Sequence, residues 1–311
     1  MGNANDYLLK RINAANYAMT WLFNFRKTEL MKTGTKRILV PTDFTKVVDF
    51  ALQHAMRMAQ VMGAEVHVLH LWQDKDDMEV AQRRLDAETA RAGQMDAGVP
   101  VKGILREGKV YEGIGAVAED IGASFIVMGT HGMRGMQFIT GSRALRVVSN
   151  SKVPFIVVQE KDMGPDGYKN IVVPLDLKEE TRRKIGLVAD MAAYFKGKAH
   201  VIVPKETDEG FKRQLNDNIV FAKKYFGERG VAMEAIVSEA GSGNFVDAVL
   251  AYSAKIDADL IAMMNSTEGN IFGVLGVPYE QEIITNKALI PVMMVHMSDN
   301  PNEVSGGWSF Q

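Results

Sequence analysis

Cysteine is absent from the 311-residue chain, which excludes disulfide frameworks, thiolate nucleophiles, Cys-ligated zinc and iron–sulfur centres together. No run reaches the roughly 18 apolar residues of a membrane span, and the start carries no apolar segment followed by a small-residue cleavage site. A cytoplasmic protein is therefore expected. Basic excess is missing too: 36 Lys and Arg face 38 Asp and Glu, a net charge of −2, so the non-specific attraction to phosphate backbones that marks nucleic-acid binders is not expected. Proline is sparse at nine residues, while 47% of the chain is hydrophobic and 24% charged. That balance excludes collagen-like and largely disordered chains and leaves a globular protein long enough for about two domains.

An internal repeat organises what is there. Arg37-Ile38-Leu39-Val40-Pro41-Thr42-Asp43 is matched by Asn170-Ile171-Val172-Val173-Pro174-Leu175-Asp176, a step of 133 residues. Glu65–Leu69 parallels Lys198–Ile202 at the same step, Ile121–Ile126 parallels Ile256–Ile261, and Val153–Val158 parallels Ile290–Val295. Such self-similarity predicts a duplicated unit. Each copy alternates short β-branched runs with longer amphipathic patterns, the mark of βαβ units and a parallel sheet covered on both faces. Strands are expected near 36–41, 65–71, 100–105, 124–129 and 153–158, and again near 169–174, 198–203, 231–237, 258–264 and 289–296. Val48, Ala51, Leu52, Ala55, Met58 and Ala59 set the helical period between the first two. The resulting division is an N-terminal amphipathic extension (1–33), a first α/β domain (34–160), a turn-rich linker (161–168), a second α/β domain (169–298) and a tail (299–311).

Ligands of open parallel sheets bind beyond the carboxyl ends of the strands, where the strand order reverses. In the first copy those ends carry Pro41-Thr42-Asp43, His70-Leu71, Gly108, and Met128-Gly129-Thr130-His131-Gly132, with Gly141-Ser142-Arg143 opening a helix. Glycines let backbone approach an anion, and a helix N-terminus offers free N–H groups, so the pattern predicts a phosphate cradle. Asp43 has two readings: a contact to a ribose hydroxyl or to a Mg²⁺ accompanying phosphates, and a cap on the following helix. His131 likewise reads as a general base or as a loop residue whose backbone matters. No Ser or Asp at defined spacing completes a triad with it. G-x-x-x-x-G-K-[ST] and G-x-G-x-x-G after the first strand are both absent, which argues against a fast NTPase or a dinucleotide dehydrogenase.

Taken together, Val40-Pro41-Thr42-Asp43-Phe44, Val68-Leu69-His70-Leu71, Ile126–Gly132 with Gly141-Ser142, and Val153–Val158 resemble the universal stress protein family, as two tandem domains over about residues 34–298. The resemblance implies an α/β fold with strand order 3-2-1-4-5 and, in the family's nucleotide-binding members, a site for ATP or AMP; Mg²⁺ is expected to accompany the nucleotide here. Carried onto matching positions, Asp43 and Leu71 would contact the nucleoside, with Pro41 and Thr42 shaping that wall. Met128, Gly129, His131, Gly132, Gly141, Ser142 and Arg143 would line the phosphates. One departure is visible: eight residues separate Gly132 from Gly141, where the family pattern has nine.

The second copy departs further. Met263-Met264-Asn265-Ser266-Thr267 stands where the first has its glycine loop, and Gly276-Val277-Pro278 replaces the Gly-Ser pair. A degenerate, structural second domain is therefore expected, completing an intramolecular pseudo-dimer. The fifth strands, around Ile156 and Met293, are sheet edges that need covering; in the family such edges pair across the dimer, so the resemblance implies that here they would pair within the chain, and a homodimer stays open. His67 and His70 fall on opposite faces of one strand and cannot chelate together. Leu8, Ile12, Ala15, Met19 and Leu22 form a seven-residue seam that predicts a helix docking on this chain, a second subunit or another protein. The expected function is a nucleotide-dependent regulator or sensor of stress rather than an enzyme. A nucleotide-independent scaffold and a slow ATPase are the alternatives.

Overall fold

The structure is a computed structural model and describes residues 35–73, 77–130, 141–149, 151–176, 183–265 and 279–296. The expected N-terminal helix, the tail, and His131 and Gly132 of the glycine loop lie outside these residues. The first half runs β1 (Lys36–Pro41), α1 (Val47–Met62), β2 (Ala64–Trp72), α2 (Met78–Met95), β3 (Val101–Glu107), α3 (Val110–Asp120), β4 (Phe125–Gly129), α4 (Gly141–Ser149) and β5 (Phe155–Val158). The second runs β6 (Asn170–Pro174), α5 (Arg183–Phe195), β7 (Lys198–Val203), α6 (Glu209–Glu228), β8 (Ala232–Val237), α7 (Phe245–Lys255), β9 (Leu260–Asn265), α8 (Tyr279–Ile284) and β10 (Val292–His296). Local chemistry sets several of the boundaries. Asp77 and Asp208 accept from the first free backbone amides of α2 and α6, and α1 ends at Gly63 with φ 63°, a conformation that costs glycine little.

All ten strands join one sheet in the order β3-β2-β1-β4-β5-β10-β9-β6-β7-β8. Each half thus has the order 3-2-1-4-5, and the two meet edge to edge. Within a half the pairs are parallel; β5 and β10 are antiparallel, with Val292 opposite Val157, Met293 opposite Ile156 and Met294 opposite Phe155. Alternation along the strands feeds two cores. Ile38, Val40, Val66, Val68, Phe125 and Val127 face α1 and α2, in a layer that continues through α5 and α6 of the second half. Leu39, Leu69, Ile126, Met128, Phe155 and Val157 face α3 and α4, in a layer continuing through α7 and α8.

The connector between the halves is held rather than loose. Tyr168 is fully buried, donates to His54 Nδ1 of α1 at 2.9 Å and packs edge-on against Phe195 at 5.0 Å. Arg57 donates to the Pro165 carbonyl at 3.1 Å. Across the seam the buried Gln159 side chain donates to the Asn286 carbonyl at 3.1 Å. At the outer edges a cross-strand ion pair recurs with its signs exchanged: Glu65–Lys102 between β2 and β3 at 2.9 Å, and Lys198–Glu234 between β7 and β8 at 2.6 Å. Charges of this kind discourage edge-to-edge association while adding little stability.

Candidate functional site

The chain leaves β1 toward β2 and β3 through α1 and α2 on one face. It then returns to β4 and β5 through α3 and α4 on the other. The reversal point therefore lies between β1 and β4, the place beyond the carboxyl ends where open parallel sheets bind their ligands. Register brings the expected residues to this point: Leu39 opposite Ile126 levels the ends of β1 and β4, and Pro41 opposite Leu69 levels Asp43 with Leu71.

The turn after β1 is tightly determined. Thr42 N–H donates to the Leu69 carbonyl at 2.7 Å, extending the β1–β2 pairing by one residue, while the Thr42 carbonyl accepts from His70 Nδ1 at 2.9 Å. Phe44 then takes φ 63°, a left-handed conformation that a bulky side chain adopts only when its surroundings enforce it. Three contacts do so: its N–H donates to Thr42 Oγ1 at 2.9 Å, its ring lies 4.4 Å from His70, and the Arg84 guanidinium lies 4.2 Å over it. Asp43 Oδ1 accepts from both the N–H and the hydroxyl of Thr45, at 3.0 and 2.6 Å. Its role in the fold is therefore to close a turn ahead of the helix. The helix-cap expectation is corrected: Lys46 occupies the N-cap of α1 and makes no side-chain cap bond. Both bonds fall on Oδ1, so Asp43 Oδ2 takes none from the described residues.

The remaining expected residues divide by what they touch. Leu71 is half-buried beside α3, where a Cβ on Gly113 would stand 2.8 Å from its side chain; that glycine makes the space Leu71 occupies. A Cβ on Gly129 would stand 2.9 Å from the Val47 carbonyl oxygen, so the closeness of α1 already requires glycine there. Met128 is buried in the core shared with α3 and α4, and only its backbone faces the strand end. Gly141, Ser142 and Arg143 form the first turn of α4.

One residue escaped the sequence reading. Glu88 lies in α2, three residues after Leu85 and four before Ala92, on a stripe that is otherwise apolar. Its carboxylate accepts from Thr42 Oγ1 at 2.6 Å and from Arg91 at 3.2 Å, and burial pushes its pKa up against both bonds. A charge on a core-facing stripe was the available signal.

At the matching end of the second half, Lys184 stands where Ala51 stands in the first. It is buried and donates to the Pro174 carbonyl. Burial holds its amine down to about 8, although Asp176 acts in the other direction. The first-half glycine corresponds to Met264, also buried. Among the described residues no group of three His, Cys, Asp or Glu could hold a metal ion, and no helix is long and apolar enough to cross a membrane.

Comparison with known proteins places this arrangement. Residues 34–159 match the universal stress protein family. A universal stress protein of Methanocaldococcus jannaschii is 27% identical over 164 residues, covering 42% of this chain and 99% of that protein. A second from the same organism is 27% identical over 140 residues, covering 40% of this chain and 82% of that one. The crystal structure of a universal stress protein from Archaeoglobus fulgidus superposes with a TM-score of 0.65 at 18% identity, over 86% of this chain and 99% of that one. Residues 34–159 thus carry the sequence pattern of the universal stress protein family, and the Archaeoglobus structure shares the α/β fold over 86% of the chain.

Proposed function

We propose that the first half binds an adenine nucleotide, ATP or AMP, and that the protein is a nucleotide-dependent regulator of the stress response. The observation that carries this reading is the turn at the strand reversal: Asp43 is held by Thr45 through one oxygen, takes no bond from the described residues on the other, and follows β1 at the level at which Leu71 follows its partner in β2. A carboxylate oxygen with a fixed direction suits a nucleoside hydroxyl or amine, and the half-buried Leu71 offers an apolar surface for a base. The first turn of α4 supplies free backbone N–H groups for phosphate. Mg²⁺ would arrive on the phosphates, with Asp43 the carboxylate best placed to meet it. The second half, with Met264 in place of the first glycine and Lys184 buried at its strand end, is read as a structural partner that covers the edge of β5. A calorimetric titration with Mg²⁺·ATP tests this. One site per chain, lost in Gly132→Val, is the expected result; absence of saturable binding would overturn it, and two sites would refute the assignment of the second half.

A further inference from the structure

From the geometry of the first turn we infer that Glu88 is a positioning residue for the ligand-facing Asp43, acting through Thr42. The inference rests on the nucleotide reading for its functional meaning and on hydrogen bonds alone for its mechanism. Thr42 Oγ1 is the hub. Its hydroxyl proton goes to Glu88 Oε2 at 2.6 Å, so its lone pairs point to the Phe44 N–H, 2.9 Å away. A hydroxyl with no acceptor for its own proton would be free to rotate; one fixed by a carboxylate has a single orientation, and the bond to that carboxylate is charge-assisted. The Phe44 N–H bond in turn holds a left-handed residue directly after Asp43. Glu88 is itself steadied by Arg91, which bridges it at 3.2 Å to Asp49 of α1 at 2.5 Å. The side chain of one helix thus fixes the direction of a carboxylate one turn of chain away, without touching the ligand.

The duplicated half supplies an independent observation. In α6 the stripe Leu215, Asn218, Ala222 repeats the spacing of Leu85, Glu88, Ala92, and all three residues are buried. Thr42 has become Leu175 there, and with no hydroxyl to accept from, the buried side chain has become a donor: Asn218 Nδ2 gives its proton to the Asp176 carbonyl at 2.8 Å. Both halves therefore reach from the second helix to the turn after the first strand, each with chemistry matched to the group it meets. A merely tolerated buried polar residue would not be expected to recur with its donor and acceptor roles so adjusted.

The test is amide hydrogen exchange on the ligand-free full chain, with Mg²⁺·ATP affinity measured on the same proteins. In Glu88→Ala and Thr42→Val the Phe44 and Thr45 amides should exchange about tenfold faster. The double variant should be no faster than either single one, and Glu88→Gln, which keeps an oxygen for the Thr42 hydroxyl, should restore protection. Amides of Val127 and Ile156 in the central strands report that the fold persists; should Glu88→Ala fail this control, the nearly isosteric Thr42→Val carries the measurement. Unchanged protection at Phe44 and Thr45 would overturn the inference. With wild-type binding present, affinity should fall about tenfold in Glu88→Ala and recover in Glu88→Gln, and a loosened turn with unaltered affinity would sever it from the ligand. Loss of protection as expected, in a wild type that binds no Mg²⁺·ATP, would instead remove the nucleotide reading and leave the Glu88–Thr42 link as the device that shapes the turn.

Discussion

Acidification should unfold this protein partly through one imidazole. His54 is almost completely buried between α1 and the connector. Its Nε2 lies 3.2 Å from the Lys161 carbonyl and its Nδ1 lies 2.9 Å from the Tyr168 hydroxyl. A carbonyl only accepts, so Nε2 carries the proton and Nδ1 accepts from Tyr168. A second proton on Nδ1 would confront that hydroxyl and force its hydrogen into the apolar core. Burial accordingly lowers the His54 pKa from 6.5 to about 4. Between those values the unfolded chain binds a proton that the folded one refuses, so stability falls as pH falls, with the loss complete below about pH 4. The gap, at ~1.4 kcal/mol per pH unit, amounts to about 3 kcal/mol, of which about 2 kcal/mol should be gone by pH 4.5. Urea unfolding at pH 7 and pH 4.5, compared between wild type and His54→Gln, isolates this contribution from the other titrating groups. The variant can still donate to Lys161 but cannot titrate, and it should lose about 2 kcal/mol less over the interval. Equal losses in both proteins would refute the neutral, doubly bonded imidazole.

Gly129→Ala places a Cβ 2.9 Å from the Val47 carbonyl oxygen, and because both groups are buried backbone, urea unfolding should show a loss of about 1–3 kcal/mol; a neutral effect would mean that α1 can retreat. Lys184→Met removes a buried amine whose pKa is held down to about 8, so at pH 7 the variant should be more stable by about 1–2 kcal/mol, after the Pro174 carbonyl loses its donor. The wild type should close that gap as pH rises from 8 toward 10.5, where the unfolded lysine also becomes neutral; a gap independent of pH would show that burial leaves the pKa of Lys184 unshifted. Asp43→Ala takes away the acceptor for both Thr45 donors and should cost about 1 kcal/mol in thermal or urea unfolding. The same change should abolish Mg²⁺·ATP binding by calorimetry, and retained affinity would remove Asp43 from the site.

Much of the fold was legible because it is written in local patterns. Period-two apolar runs mark the strands, and the 133-residue step made each half a check on the other; most of the observed strand ends agree within one or two residues. The pairing of the fifth strands came through the family resemblance, and Met293 indeed stands opposite Ile156. The turn residues were legible through their motif, but their roles were not. Asp43 read equally well as a helix cap, and only the position of Lys46 at the N-cap and the bonds to Thr45 separate the two readings.

By itself, then, the sequence determined the element order and the strand–helix alternation of both halves, since hydrophobic period and strand length act over a few residues. Contacts between residues far apart in the chain were decided only by tertiary structure. Gly129 is required by the Val47 carbonyl, Leu71 fits because Gly113 lacks a side chain, His54 is neutral because Tyr168 and Lys161 enclose it, and Glu88 governs a turn 46 residues away. Each depends on where a distant backbone or polar group comes to rest, and on the low dielectric that makes an unmatched group there costly. No local period encodes that position, and it exists only once the helices have packed on the sheet.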